Sequence, residues 1–371
     1  MKIVHISDID ATALGGGMNT VIPELMRRQT AADDSIRNFL LLVGKKKDTN
    51  GRYPFPVIYR SETPLRFLRD ADLLVFHSVY NLRFIPYFFY AIAQGIPYVI
   101  VSHGGLSRAA LRRGRLKKGL FAAIFLNRFV AKAAALCFTS DDEQRNSAYP
   151  DHPYIVVPNP ISIGDYPPRL NGGGTDPIRI VYLSKIDFYY KGLDMLLDAL
   201  HSVWDVLAGN VRIDIYGYGN SKEIDVDNIP PGEKDVLRLI EALKELNLAS
   251  VEYHGPVFGT EKMDILQQSD IYLLTSRSEA MPLSITEALS VGTPCLVSYG
   301  TNMGRMIETR GAGWAVVLDK EDIARGLLTA IREYSSDPSR FRRAARALYE
   351  ENASVDIGRI SIAQYKDILN R

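Results

Sequence analysis

Cysteine is almost absent: two residues in 371, Cys137 in ALCFTS and Cys295 in TPCLVS, both inside short apolar runs. That argues against a disulfide-stapled scaffold and a thiolate metal cluster, and the reading of both is a buried small hydrophobe in a reduced compartment. No window reaches the roughly 18 uncharged apolar residues of a membrane span, and MKIVHISDI lacks the apolar core and cleavage site of a signal peptide. The expectation is a cytoplasmic protein, at most peripheral on a membrane face. No repeat of fixed period is visible. Acidic residues are missing from residues 73–140, which hold nine Lys or Arg on a chain of net charge +1. Such a stretch suits a phosphorylated or membrane-associated partner, and a solvated helix face accounts for it as well.

What is present is an ordinary globular composition, 46% apolar and 23% charged, over a length that suits two domains. Short β-branched or aromatic runs alternate with helical patterns throughout, the mark of βαβ units and parallel sheets. Strand candidates are 2–9, 38–44, 57–60, 73–78, 98–104, 135–140 and 154–159, then 178–186, 211–219, 251–257, 270–276, 294–299 and 313–318. Between the series lies NPISIGDYPPRLNGGGTDP (159–177), rich in Gly and Pro and suited to a linker. The expected architecture is α/β, with two Rossmann-like doubly wound domains at 1–163 and 175–354 facing across a cleft. Residues 354–371 read as an amphipathic helix, with Ile357, Ile360, Tyr365 and Ile368 on one face, that joins 355–371 to the first domain.

Doubly wound sheets bind ligands outside the carboxyl ends of their strands, so the residues ending each run carry the functional argument. Gly15-Gly16-Gly17 follows the first run and precedes a helix, where backbone N–H groups can cradle a phosphate or simply make a tight turn. It is not GxGxxG, which disfavours the usual dinucleotide site. In YLSKIDFYYKGLDMLLDAL, Lys185 and Lys191 flank an aromatic loop and Gly192 opens a helix, an arrangement suited to a pyrophosphate. In SRSEAMPLSITEALSVGTP (276–294), Glu279 follows a strand and Glu287 lies in a helix whose first turn takes Pro282. A carboxylate accepts two hydroxyl hydrogen bonds, so the pair can address separate hydroxyls of one extended ligand; two solvated glutamates at a helix start are the plain alternative.

These elements in this order, with the IYGYG turn, resemble a retaining GT-B glycosyltransferase of family 4 over nearly the whole chain, most strongly over 178–318. The resemblance implies a donor-binding C-terminal domain and an acceptor-binding N-terminal one. Lys185 and Lys191, with Ser184, would meet the donor pyrophosphate. Glu287 would hold the donor ribose. Glu279 and the backbone of Ala280, Met281, Pro282 and Leu283 would hold the transferred sugar and its phosphate. Gly16 and Gly17 would approach the phosphates, and the base would lie by Gly217 and Gly255-Pro256-Val257. His103 would face the sugar and acceptor, with Asp8 and Asp10 nearby, and Glu279, Lys191 and His103 would be the catalytic set.

Two departures stand out. Ser184-Lys185 replaces the family's Gly-Arg, exchanging a guanidinium fork for a point charge, and Ala280-Met281-Pro282 replaces a glycine-rich turn. The resemblance implies no required cofactor and no metal, only a nucleoside-diphosphate sugar as co-substrate. A metal-dependent reading would use Asp8-x-Asp10, Asp70-x-Asp72 or Asp225-x-Asp227. Arg112, Arg113, Arg115, Lys117 and Lys118, beside Leu116, Leu120, Phe121, Ile124, Phe125 and Phe129, suit an anionic membrane and a lipid-linked acceptor, or a helix packed on the sheet with its cations in water. No nucleic-acid signature accompanies them. A sugar-nucleotide epimerase and a non-catalytic binder are the competing functions.

Overall fold

A computed structural model describes residues 1–10, 17–45, 53–112, 122–161, 163–164, 166–171, 176–226, 229–248 and 250–370. Two compact units form, one from Met1–Ser162 with Val355–Arg371 and one from Ile163–Ser354. The first unit contains β1 (Lys2–Ser7), α1 (Gly17–Ala32), β2 (Arg37–Leu42), β3 (Val57–Tyr59), β4 (Leu73–His77), α2 (Ile85–Gln94), β5 (Tyr98–Val101), β6 (Ala135–Phe138) and β7 (Tyr154–Val156). The second contains β8 (Ile178–Leu183), α3 (Leu193–Leu207), β9 (Val211–Tyr216), α4 (Lys234–Leu246), β10 (Val251–Gly255), α5 (Gly259–Gln268), β11 (Ile271–Leu274), α6 (Leu283–Ser290), β12 (Cys295–Ser298), β13 (Gly313–Val316), α7 (Lys320–Ser336) and α8 (Pro338–Ala353). The chain then returns to the first unit as α9 (Ile357–Leu369).

Both sheets are parallel throughout, in the orders β3-β2-β1-β4-β5-β6-β7 and β10-β9-β8-β11-β12-β13. Parallel strands covered on both faces need apolar side chains on both, which is why β1, β4, β11 and β12 are buried at every position. Strand order reverses between β1 and β4 in one sheet and between β8 and β11 in the other, opening a crevice at the carboxyl ends in each.

The helix α9 covers one face of the first sheet, placing Ile357, Ile362, Tyr365 and Ile368 among Ile3, Leu25, Val99 and Val101. Ile360, expected on that face, is only half-buried, and Ile362 takes its place. Of residues 106–132, 113–121 lie outside the described residues. The described parts are Arg108–Arg112, a π-type turn Ala122–Leu126 and Asn127–Ala131. Phe125 and Phe129 do not face outward but sit in the core against Phe88, with Phe129 also against Phe76 and Tyr98, while Ile124 is 71% exposed. Leu116, Leu120 and Phe121 lie outside the described residues.

Candidate active site

In the second unit, β8 and β11 lie side by side and their carboxyl ends feed two loops that meet. One is the aromatic turn Asp187–Gly192, which ends at the start of α3. Gly192 there has φ +64, and a Cβ on it would collide with the carbonyl oxygen of Thr275, so no other residue lets the two loops approach this closely. The other runs from Thr275 to Pro282. Arg277 locks them together, its guanidinium donating to both Asp194 oxygens at 2.7 and 2.7 Å and to the Tyr189 carbonyl at 2.7 Å, while its backbone N–H donates to Tyr190 O at 2.8 Å.

Held this way, Lys191 Nζ forms an ion pair with Glu279 Oε1, which also accepts from Ser276 Oγ at 2.8 Å. Glu279 is fixed in turn through its backbone, its N–H donating to Gly300 O at 2.9 Å and its carbonyl accepting from Asn302 Nδ2 at 2.7 Å. Beneath it lies the fully buried Tyr182, whose hydroxyl is pushed well above the usual phenol range by burial and by the Glu279 charge. Glu287, on α6, pairs with Lys262 of α5. Each predicted glutamate therefore carries a lysine, one foreseen and one not. Pro282 stands at the cap of α6 rather than within its first turn and offers no side-chain acceptor; Ile285 N–H donates to its carbonyl at 3.2 Å, and the N–H groups of Leu283 and Ser284, without a partner among the described residues, remain available to an anion.

The remaining predicted donor residues of the second unit lie at or past the carboxyl ends of β8, β9, β10 and β11. Ser184 is half-buried and Lys185 exposed past the end of β8, Met281 is buried, and Ala280 and Leu283 are half-buried. Gly217, just past β9, donates to Gly255 O at 2.8 Å, and a Cβ there would strike the Ser184 carbonyl. Val257 is buried beyond β10. In the first unit Gly17 is exposed at the start of α1, and Gly16 lies outside the described residues, as do Arg113, Arg115, Lys117 and Lys118. Arg112 is exposed. Asp8 is exposed and accepts from Asn81 Nδ2 at 2.8 Å; Asp10 is half-buried.

Two of the carboxylates weighed for a metal are engaged with Lys2. Asp70 pairs with the Lys2 ammonium at 2.5 Å and Asp72 accepts the Lys2 N–H at 2.7 Å, a structural clasp, and Asp227 lies outside the described residues. Asp214, Glu252 and His254 do gather, but Arg212 lies on both carboxylates at 3.0 and 3.3 Å and already supplies their positive charge.

His103 follows β5 with φ +46, a left-handed conformation uncommon for a residue with a Cβ. The buried Glu143 holds it there. Its Oε1 accepts from Ser102 Oγ at 2.5 Å and from Gly104 N at 2.8 Å, and its Oε2 accepts from Thr139 N at 2.7 Å and Oγ1 at 2.8 Å. Neither Glu143 nor the two histidines beside His103, His5 and His77, were singled out by the sequence. The two histidines look like core strand residues, and Glu143 like one of three acidic residues opening a short helix.

Two doubly wound parallel units with ligand crevices at their strand ends define the class: this is the GT-B fold. Residues 171–348, most of the second unit, match the family described as Glycosyl transferases group 1. Among curated proteins, the chain is 23% identical over 235 residues to the UDP-Gal:alpha-D-GlcNAc-diphosphoundecaprenol alpha-1,3-galactosyltransferase of Escherichia coli, covering 62% of this chain and 58% of that one. It is 31% identical over 136 residues to mannosylfructose-phosphate synthase of Agrobacterium fabrum (strain C58), covering 36% and 28%. The matches thus span little more than half the length of the first relative and under a third of the second. Among solved structures, HepE of Anabaena in complex with UDP and glucose superposes over 100% of both chains with TM-score 0.70 at 16% identity.

Proposed function

We propose that this protein is a retaining glycosyltransferase of family 4 that moves a sugar from a nucleoside-diphosphate sugar, UDP- or GDP-linked, to a hydroxyl of a glycan or lipid-linked acceptor, in bacterial surface polysaccharide or glycolipid synthesis. The observation that carries the proposal is the pair of lysine-held glutamates, Lys191–Glu279 and Lys262–Glu287, on the loop and helix that follow β11. In this reading Glu287 holds the ribose diol. Lys191, with Lys185 and the uncapped start of α6, receives the diphosphate.

As the glycosidic bond breaks, charge grows on the departing phosphate. Preset cations and N–H dipoles stabilise it without reorganising, which is where such a site gains most. Glu279 is assigned a binding and electrostatic role, because its ion pair with Lys191 and its bond from Ser276 leave it fixed rather than free to attack. The N-terminal unit is assigned the acceptor, with His103 at the transferred sugar and Asp8 and Asp10 beside it. The chemistry assigned to these residues calls for no metal. The exposed Arg112 and Ile124, with the cations of 113–118, are assigned to an anionic membrane surface carrying the acceptor. No helix among the described residues is long and apolar enough to cross a membrane.

The test is thermal unfolding with UDP, GDP and ADP and their sugar conjugates in EDTA. A ligand at about 100 times its dissociation constant stabilises by about 2.7 kcal/mol. The expected result is a shift with one base that Glu287→Ala abolishes, together with release of that diphosphate when an acceptor is supplied. A shift that needs added metal, or one retained in Glu287→Ala, overturns the site. Conversion of the donor sugar without any acceptor points to an epimerase instead.

A further inference from the structure

Three histidines lie in one line across the first sheet. His5 is in β1, His77 ends β4 and His103 follows β5, and these strands are neighbours. His5 Nδ1 lies 2.9 Å from His77 Nε2, and His77 Nδ1 lies 3.1 Å from His103 Nε2. Ring centroids are 5.2 and 5.3 Å apart with planes tilted by 19° and 28°, so the rings meet edge to edge and each contact is an in-line N–H···N bond. A bond between two neutral imidazoles needs one protonated and one bare nitrogen. Fixing the proton on any ring therefore fixes it on all three.

The inner end of the row supplies that decision. The remaining nitrogen of His5, Nε2, is buried against the side chains of Gln29 and Asn38. Both amides have their orientation set. Asn38 Nδ2 donates to Met26 O at 3.1 Å, an acceptor only. Gln29 Nε2 donates to Ser361 Oγ at 3.1 Å, and that hydroxyl has already given its own hydrogen to Gly358 O at 2.9 Å. Gln29 Oε1 and Asn38 Oδ1 are thus left as buried acceptors without a donor of good geometry, His5 Nε2 is likewise buried without a partner, and both amide side chains act on the His5 ring, whose other nitrogen is already engaged by His77. The Tyr365 hydroxyl also faces Gln29, which a carbonyl oxygen with two lone pairs can accommodate.

We propose that the row His5–His77–His103 is a tautomer relay: two amide carbonyls on α1 and β2 hold the proton on His5 Nε2, His77 Nε2–H donates inward to His5 Nδ1, and His103 Nε2–H donates inward to His77 Nδ1, leaving a bare lone pair on His103 Nδ1. His103 then presents an acceptor at the carboxyl end of β5, and the ligand group it selects is a hydroxyl rather than a phosphate or carboxylate. His5 and His77 are positioning residues that act through His103. Burial holds all three rings neutral, as the relay requires, with His5 and His103 lowered to about 4 and His77 well below the ordinary imidazole value. His103 Nδ1 makes no hydrogen bond among the described residues. That the hydroxyl belongs to the transferred sugar or acceptor rests on the proposed function; the proton positions do not.

The test is long-range 1H–15N correlation spectroscopy at neutral pH on unliganded full-length protein labelled in its six histidines, with His152→Gln and His201→Gln aiding assignment. His103 is expected as one neutral tautomer protonated on Nε2. Removing both carbonyls in Gln29→Met with Asn38→Leu is expected to produce a second, Nδ1-protonated population at His103, two strands away. A wild-type His103 protonated on Nδ1, or charged, overturns the relay without any variant having to fold. So does a folded double variant in which His103 is unchanged. Because no donor is present, failure of nucleotide binding leaves this result standing, and the converse holds.

Discussion

Arg277 illustrates how much of the site depends on one side chain that touches no assigned ligand group. Its guanidinium grips Asp194 with two parallel bonds and lies over the Tyr189 ring at 5.0 Å, so the loop carrying Lys191 and the loop carrying Glu279 move as one. A lysine keeps the charge but not the fork. Arg277→Lys is expected to lower unfolding stability in urea by about 1–2 kcal/mol and to shrink the nucleotide-induced thermal shift; an unchanged shift would show that the loops hold without it. At the same scale, the relay histidines predict an acid-sensitive unit. His5 takes up a proton near pH 6.5 when unfolded and near 4 when folded, so its stabilising contribution is complete above pH 6.5 and lost as pH falls toward 4. For the fully buried His5 the loss is about 3 kcal/mol. Denaturant midpoints between pH 7.5 and 4, compared with those of His5→Asn, read it directly, and parallel curves would refute the assignment. Glu279 and His103 stand out in the sequence because they follow or end apolar runs, and Glu287 because it lies in the helix just beyond Glu279. His5 and His77 were not, since they are 72 residues apart and sit inside such runs. Lys262 and Arg277 carry no local sequence signal that sets them apart from other charged residues.

At the level of elements, all thirteen apolar runs read from the sequence became strands, yet every run was read past its carboxyl end. The run 98–104 stops as a strand at Val101 and 178–186 at Leu183. The surplus residues are those that leave the pleat to face the crevice, and β-propensity cannot distinguish a side chain packed in a sheet from one held at its rim. The segment 106–132 left two readings open for a related reason: helical spacing of Phe125 and Phe129 marks a buried face but does not say what buries it, and the sheet core does. Gly192 gives the sharpest element-level prediction. With φ +64 and the Thr275 carbonyl where a Cβ would go, Gly192→Ala must separate the start of α3 from β11. A loss of about 2 kcal/mol or more in unfolding stability is expected, with nucleotide response falling alongside it. A variant as stable as wild type would mean that the two loops can part at little cost.

For the whole molecule, the alternation of strand and helix patterns was sufficient to read a doubly wound α/β chain, because parallel sheets leave that imprint on every stretch of sequence. How three strands bring distant histidines into one row was not readable, since it depends on sheet order rather than on any local spacing. The return of α9 to the first unit has a measurable side. Ending the chain after Ser354 uncovers Ile3, Leu25, Val99 and Val101 and forfeits four buried side chains, each worth about 1.5–3 kcal/mol. That total rivals the stability of an entire domain. Calorimetry of the truncated chain is expected to show the transition of unit 163–354 preserved and that of the first unit lost; two intact transitions would deny α9 its role. The same feature orders events during synthesis. The seven-stranded unit is translated first but cannot close its core until residues 357–369 emerge, after the whole second unit. At about 5–20 residues per second that is an interval on the order of ten seconds or more. Of the two units, the one translated earlier is thus the later to become solvent-tight, and it spends that interval as a client for whatever shields nascent chains.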